Sequence, residues 1–234
     1  MFGNNISGKP LKVTVWLSSV IFILSAVLYF LPVEIPCKVF FPLASVAVFS
    51  LWLSPVPVSI ALIASACGDL MGSAGNFMAQ MECFAVAHLF LCIFFINRLF
   101  QTGKASARSF SAILTEKRVA YLTVTGILVG AILLMAMVSI VPEVPRGASR
   151  AGVAFYSIVI SLMFYTALLQ RSIFYAAGAF LFVLSDFILA WDRFVSPVPY
   201  GHYIIMVPYY LAQWMIYVRS TKYRVGKSLL LARL

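Results

Sequence analysis

Residues 173–191 read IFYAAGAFLFVLSDFILAW, an apolar run that carries a single charge, at Asp186. A membrane-spanning helix needs about 20 mostly apolar residues, so this stretch predicts one. A second aspartate, Asp69, lies inside another apolar run, in the segment ACGDLMG. An aspartate near the centre of a bilayer costs about 2.5–3.5 kcal/mol on insertion scales, unless it faces a polar cavity, a partner group or a site. The two aspartates are therefore the first candidates for functional residues.

The composition of the whole chain is that of a membrane protein. Of its 234 residues, 63% are hydrophobic and only 10% are charged, whereas a soluble domain carries about 25% charged residues. We therefore expect an all-α polytopic membrane protein that forms one domain over residues 1–234. The net charge of +10 would suggest nucleic acid in a soluble protein. Here most basic residues flank apolar runs, where they set topology and meet anionic lipid headgroups, so no nucleic-acid partner is expected.

The apolar runs predict eight transmembrane helices. Their ranges are 13–31, 39–53, 57–72, 77–97, 119–141, 151–169, 173–191 and 202–218. Helices 2 and 3 are short, and the link Ser54-Pro55-Val56-Pro57 predicts a tight hairpin between them. The longest connection, 98–118, is polar and basic. The first run follows MFGNNISGKPLK and has no small-residue cleavage site, so we expect a spanning helix there and not a cleaved signal.

The distribution of Lys and Arg predicts the orientation of these helices. With eight spans and a cytoplasmic N-terminus, thirteen basic residues lie on the inside and four on the outside. The outside residues are Lys38, Arg146, Arg150 and Arg193. The positive-inside rule favours this arrangement, so both termini are expected in the cytoplasm. The predicted location is the inner (plasma) membrane of a bacterium.

Position along each helix predicts which polar groups share a depth. At 1.5 Å rise per residue, Asp69 lies about 18 Å and Asp186 about 20 Å from the cytoplasmic ends of two helices that run in the same direction. Other polar side chains fall in the same slab on helices that run the opposite way. These are His88, Tyr209, Tyr210 and Gln213. All of them can therefore converge on one cavity, slightly outside the midplane.

Paired aspartates in such a cavity are suited to acid–base chemistry. Two buried carboxylates ionise as a coupled pair, so one can keep a proton while the other is charged. His88 would then carry a proton or orient the ionised aspartate. The alternatives are polar contacts between helices for the aspartates and a satisfied interior residue for His88. A zinc site would need His88 and both aspartates; no metal and no cofactor is expected.

Several stretches resemble the YhhN-like family of membrane proteins, which includes the lysoplasmalogenases. The most specific is GAFLFVLSDFILAWDRF at 178–194, which resembles the family's signature and contains the pair Ser185-Asp186. Shorter stretches resemble the family in the same order along the chain. They are Cys67–Leu70, Phe84–His88, Tyr156 with Ser161, and Tyr209–Gln213.

The resemblance implies eight transmembrane helices and a hydrolase that cleaves the vinyl ether bond of lysoplasmalogens. The products would be a fatty aldehyde and a glycerophospho-headgroup, and the substrate partner would be a membrane lysophospholipid. Asp69 and Asp186 would be the catalytic pair, one as acid and one as carboxylate. The implied supporting residues are His88, Tyr156, Ser185, Tyr209, Tyr210 and Gln213.

This chain departs from the family pattern at two positions. Where the family often has Lys-Pro-Leu, residues 41–43 read Phe-Pro-Leu, and the nearest lysine is Lys38. Where the family often has a tyrosine after its histidine, this chain has Leu91. Both differences leave the predicted fold unchanged and weaken the prediction of the substrate.

Two other function classes place acidic residues at this depth. A small proton-coupled transporter carries them near the midplane, and a membrane scaffold uses them as packing contacts. The opening of the site distinguishes the first from an enzyme. A lipid hydrolase needs one lateral or outer mouth, whereas a carrier needs access from both sides in turn.

Overall fold

The computed structural model describes the backbone of residues 8–105 and 116–231 and the side chains of 11–101 and 119–222. This part of the chain is helical. Its eight α-helices are α1 (Gly8–Phe30), α2 (Phe40–Leu53), α3 (Val56–Ser73), α4 (Phe77–Ala105), α5 (Glu116–Ser139), α6 (Ala148–Leu168), α7 (Ile173–Phe194) and α8 (Gly201–Leu231). A 3₁₀ turn, Val141–Glu143, lies between α5 and α6. The all-α prediction is therefore confirmed.

Most helix ends lie within a few residues of their predicted positions, but two helices are longer. Helix α4 continues to Ala105 and α8 to Leu231, so the predicted loop at 98–118 is wrong over its first part, and residues 106–115 lie outside the described range. Hydropathy marks the part of a helix that lies in lipid. The backbone hydrogen bonds continue into polar sequence, and hydropathy therefore misses the true ends.

Six of these eight helices are long and apolar enough to cross a membrane, which makes the chain a multi-pass membrane protein. The exceptions are α2, which has 14 residues, and α8. The first half of α8 contains Pro208, Tyr209, Tyr210 and Gln213, and these residues lower its hydropathy. The expectation of eight spans, with both termini in the cytoplasm, therefore stays a prediction.

Seven of the helices pack as a closed ring. Its order is α1, α2, α3, α4, α6, α7 and α8, which returns to α1, while α5 packs on the outside against α6. Gly178 lets α7 and α8 approach closely, because a Cβ there would lie 3.1 Å from Ile216 and 3.2 Å from the Ala212 carbonyl oxygen. Small residues serve this purpose where helices pack in membranes. Ser18 closes the ring through a 2.7 Å hydrogen bond with Tyr217.

One end of the ring carries the polar groups of interest, and we call it the site end. It is the end at which α1, α3, α5 and α7 finish and α4, α6 and α8 begin. Asp69 lies one turn before the end of α3, and Asp186 lies two turns before the end of α7. The helix directions therefore bring both aspartates to the same half of the molecule.

Candidate functional site

Asp186 is the centre of a three-residue cluster contributed by α4, α6 and α7. Its Oδ2 atom accepts a hydrogen bond from the Tyr156 hydroxyl and lies 3.4 Å from His88 Nε2. His88 Nε2 also lies 3.0 Å from the Tyr156 hydroxyl oxygen, so each member contacts the other two. His88 is fully buried and Asp186 is 7% exposed. An imidazole, a phenol and a carboxylate thus meet in a place from which water is largely excluded.

Asp69 has different surroundings. It is 3% exposed, and its Oδ1 atom accepts a 2.9 Å hydrogen bond from the Tyr209 hydroxyl on α8. Its Oδ2 atom has no hydrogen-bond partner among the described residues. A buried carboxylate oxygen without a protein partner is unusual, and this one is free to meet a substrate, a water or a proton.

An aromatic chain connects the two carboxylates. The Tyr209 ring lies 5.5 Å from Phe182 and 5.8 Å from Phe84, and Phe182 packs edge-on against His88 at 4.5 Å. The partner of Asp69 therefore contacts, through Phe182, the partner of Asp186.

The two aspartates line different cavities. Asp186 and Tyr156 line the first, which encloses about 670 Å³ including its open mouth and is otherwise mainly apolar, with side chains from α4, α5, α6 and α7. We call it the apolar cavity. Asp69 lines the second, of about 810 Å³ including its mouth, together with Tyr29, Lys38 and Ser73. We call it the polar cavity. The sequence left open whether both aspartates face one cavity, and in the structure the rotation of their helices aims them into adjoining spaces.

Gln80 and Leu189 are the residues that both cavities share. Neither residue was predicted from the sequence. A signal for Gln80 was present, since Gln80, Phe84 and His88 recur at a four-residue spacing and so lie along one side of α4. Leu189 gives no such signal, because a leucine in an apolar helix is indistinguishable from its lipid-facing neighbours.

Three of the predicted supporting residues tie helices together and are not among the residues that line these two cavities. The Ser185 hydroxyl donates a hydrogen bond to the carbonyl oxygen of Ile205 at 2.9 Å. The Tyr210 hydroxyl donates to the carbonyl oxygen of Val39 at 3.2 Å. Gln213 Nε2 donates to Ser65 Oγ at 3.0 Å, one turn below Asp69 on α3. These bonds hold α8 against α3, α7 and the start of α2, and so position Tyr209.

No group of three His, Cys, Asp or Glu side chains is placed to hold a metal ion in the described parts of the chain. The zinc arrangement considered from the sequence would need His88 and both aspartates. Asp69 and Asp186 instead line different cavities and accept hydrogen bonds from different tyrosines.

Comparison with known proteins finds relatives with a named activity. Lysoplasmalogenase TMEM86B of Homo sapiens is 40% identical over 76 residues, which are 32% of this chain and 33% of that protein. Lysoplasmalogenase TMEM86A of Bos taurus is 45% identical over 47 residues, 20% of each chain. The matches thus span a third or less of these relatives. No solved structure matches the chain.

The family profile covers much more. The profile of the YhhN family matches residues 32–220, a range that begins after α1 and ends inside α8. It includes both aspartates, His88, Tyr156, Tyr209 and the residues shared by the two cavities. The resemblance inferred from short motifs is thereby confirmed, and the chain belongs to the YhhN family.

Proposed function

We propose that this protein is a lysoplasmalogenase-like hydrolase that cleaves the vinyl ether bond of a membrane lysophospholipid. The observation that carries the proposal is a pair of buried carboxylates, each hydrogen-bonded to a tyrosine hydroxyl. Asp186 lines the apolar cavity and Asp69 lines the adjoining polar cavity. An amphiphile with one chain matches such a pair of cavities. The relatives named as lysoplasmalogenases also support this activity.

The lipid's tail would occupy the apolar cavity, and its polar end would occupy the polar cavity. Lys38 lies in the wall of the polar cavity, where Tyr29 is 5.8 Å from its ammonium group. A cation at this mouth suits the phosphate that every lysophospholipid carries. Lys38 would thus bind the lipid phosphate from a place three residues before position 41, where the family often has a lysine.

Hydrolysis of a vinyl ether needs an acid and a water. The acid gives a proton to the vinyl carbon that is not bonded to oxygen, and the double-bond electrons form the new C–H bond. The oxocarbenium ion that results is stabilised by a carboxylate. Water adds to its carbon and loses a proton, and the hemiacetal then collapses to a fatty aldehyde and the glycerol hydroxyl. One water is consumed, and the acid regains its proton.

In our proposal the two aspartates divide this work by location. Asp186 lies beside the tail, where the vinyl carbon must receive its proton, and Tyr156 and His88 return a proton to it. Asp69 lies in the polar cavity, through which water arrives, and its Oδ2 atom, which has no partner among the described residues, would face the developing cation and accept the proton of the attacking water. Two carboxylates with different environments commonly take different roles.

The position of the cavities supports an enzyme over a carrier. Most of their lining residues lie in the half of the helix bundle nearer the site end, and the apolar cavity reaches inward as far as Val183 on α7 and Ser161 on α6. A carrier needs access from both ends in turn. We further propose that the chain is one domain of eight spans in a bacterial inner membrane, with both termini in the cytoplasm.

The test is aldehyde release from lysoplasmenyl-ethanolamine by purified protein in detergent. We expect wild-type protein to release fatty aldehyde and Asp69→Asn and Asp186→Asn each to lower the rate at least about 100-fold, because each removes an acid–base group. Asp192→Asn is the matched control on α7. Asp192 Oδ1 accepts from the Val198 backbone N–H at 2.7 Å, and an asparagine keeps that acceptor. Absence of aldehyde from folded wild type, with human TMEM86B active in parallel, would contradict the proposal.

A further inference from the structure

Gln80 on α4 and Leu189 on α7 line both cavities. A lipid that places its phosphate in one cavity and its tail in the other would place its glycerol backbone beside these side chains. We propose that Gln80 selects single-chain lipids, by hydrogen bonding the free 2-hydroxyl of the glycerol and by narrowing the passage beside it. The inference rests on the proposed function and deepens it.

The position of the Gln80 side chain is set by a glycine on the neighbouring helix. A Cβ atom at Gly72 would lie 2.6 Å from the carboxamide carbon and nitrogen of Gln80, so the amide packs directly on the α3 backbone. Gly72 itself lines the polar cavity. A larger residue at position 72 would therefore push the carboxamide aside.

The Gln80 carboxamide is available to a ligand. No hydrogen bond to it is found among the described residues, and its side chain is only partly buried. A carboxamide offers one acceptor and two donors. An alcohol, which both donates and accepts, matches it better than an ester or a hydrogen atom does.

The glycerol of a lysolipid carries one hydroxyl at this point, between the phosphate and the ether oxygen. A lipid with an acyl chain at the same carbon would leave the amide without its partner. It would also have to place a second chain beside Gln80 and Leu189. Gln80 thus opposes two-chain lipids in two separable ways, by hydrogen bonding and by volume.

The experiment measures binding of three lipids that vinyl ether chemistry does not cleave. They are a 1-O-alkyl lysophosphoethanolamine, its 2-deoxy analogue and its 2-acyl analogue, each titrated into protein in detergent. For wild type we expect the 2-hydroxy lipid to bind about 10-fold more tightly than the 2-deoxy lipid, as loss of one neutral hydrogen bond predicts. The 2-acyl lipid should bind more weakly than either.

Two substitutions at Gln80 separate hydrogen bonding from volume. Gln80→Met keeps the length of the side chain and should bind the 2-hydroxy and 2-deoxy lipids equally while still rejecting the 2-acyl lipid. Gln80→Ala should lose both preferences. Equal binding of the 2-hydroxy and 2-deoxy lipids by wild type would overturn the proposal, as would a Gln80→Met protein that retains the preference.

Gly72→Ala gives an independent test that leaves the Gln80 side chain chemically unchanged. It should displace Gln80 and lower the preference for the 2-hydroxyl about 10-fold, as Gln80→Met does. Gly130→Ala is its control, since no heavy atom lies within 4 Å of a Cβ at Gly130. The three lipids are not cleaved, so these binding results test the role of Gln80 independently of catalysis. The proposed hydrolysis is tested separately, by aldehyde release.

Discussion

Asp186 and Asp69 are the same residue type in two different electrostatic settings. Asp186 has a phenol and an imidazole beside one carboxylate oxygen, whereas Asp69 has a single phenol on one oxygen and no partner among the described residues on the other. Hydrogen-bond donors around a carboxylate favour particular protonation states. The tyrosines are therefore as important to the proposed chemistry as the aspartates themselves.

Removal of the Tyr156 hydroxyl tests whether this tyrosine takes part in the proposed chemistry. We expect Tyr156→Phe to lower the kcat of aldehyde release about 10- to 100-fold, because Asp186 loses a donor and the proposed proton path is broken. Tyr165→Phe is the matched control on α6, since Tyr165 is not among the lining residues of either cavity. Circular dichroism of both variants checks the fold. A Tyr156→Phe protein as active as Tyr165→Phe would remove this hydroxyl from the mechanism.

Among the elements, the contact between α3 and α4 decides where Asp69 points. Gly68 on α3 lies against the Phe84 ring on α4, and a Cβ there would come within 2.7 Å of that ring. Phe84 in turn packs against Tyr209, the partner of Asp69. The residue before Asp69 thus controls the aromatic contacts beside it.

Gly68→Ala should therefore disturb both stability and activity. Overpacking of a close helix contact costs about 1–3 kcal/mol, and we expect a lower midpoint in thermal unfolding of the detergent-solubilised protein. Aldehyde release should fall as well, because Phe84 and Tyr209 have to move. Gly130→Ala, with open space around its Cβ, should unfold at or above the wild-type temperature. Equal midpoints for the two variants would refute the steric argument.

For the whole molecule, the orientation in the membrane decides from which side the polar cavity is reached. In the orientation predicted from the thirteen-to-four distribution of basic residues, the site end lies outside. Cys37, in the connection before α2, is exposed at that end. The connection between α6 and α7 lies at the other end and contains Ser172.

A membrane-impermeant maleimide applied to intact cells tests this orientation. We expect Cys37 to be labelled in wild type and the signal to disappear in Cys37→Ser. A Cys37→Ser/Ser172→Cys protein should react only after the cells are permeabilised. Labelling of that double variant in intact cells would reverse the topology and place the polar cavity on the cytoplasmic side.

The amino-acid sequence by itself determined the membrane location, the helices, the two buried aspartates and the family. These follow from local properties, since hydropathy and rise per residue depend only on nearby positions. The tertiary structure alone decided that the aspartates line separate cavities and that Gln80 lines both of these cavities. That outcome depends on helix rotation and on contacts between distant residues, as between Asp69 and Tyr209, 140 positions apart, or His88 and Asp186, 98 positions apart. The depth of a side chain in the membrane depends on its own helix alone. The direction in which that side chain points depends on all the helices packed around it.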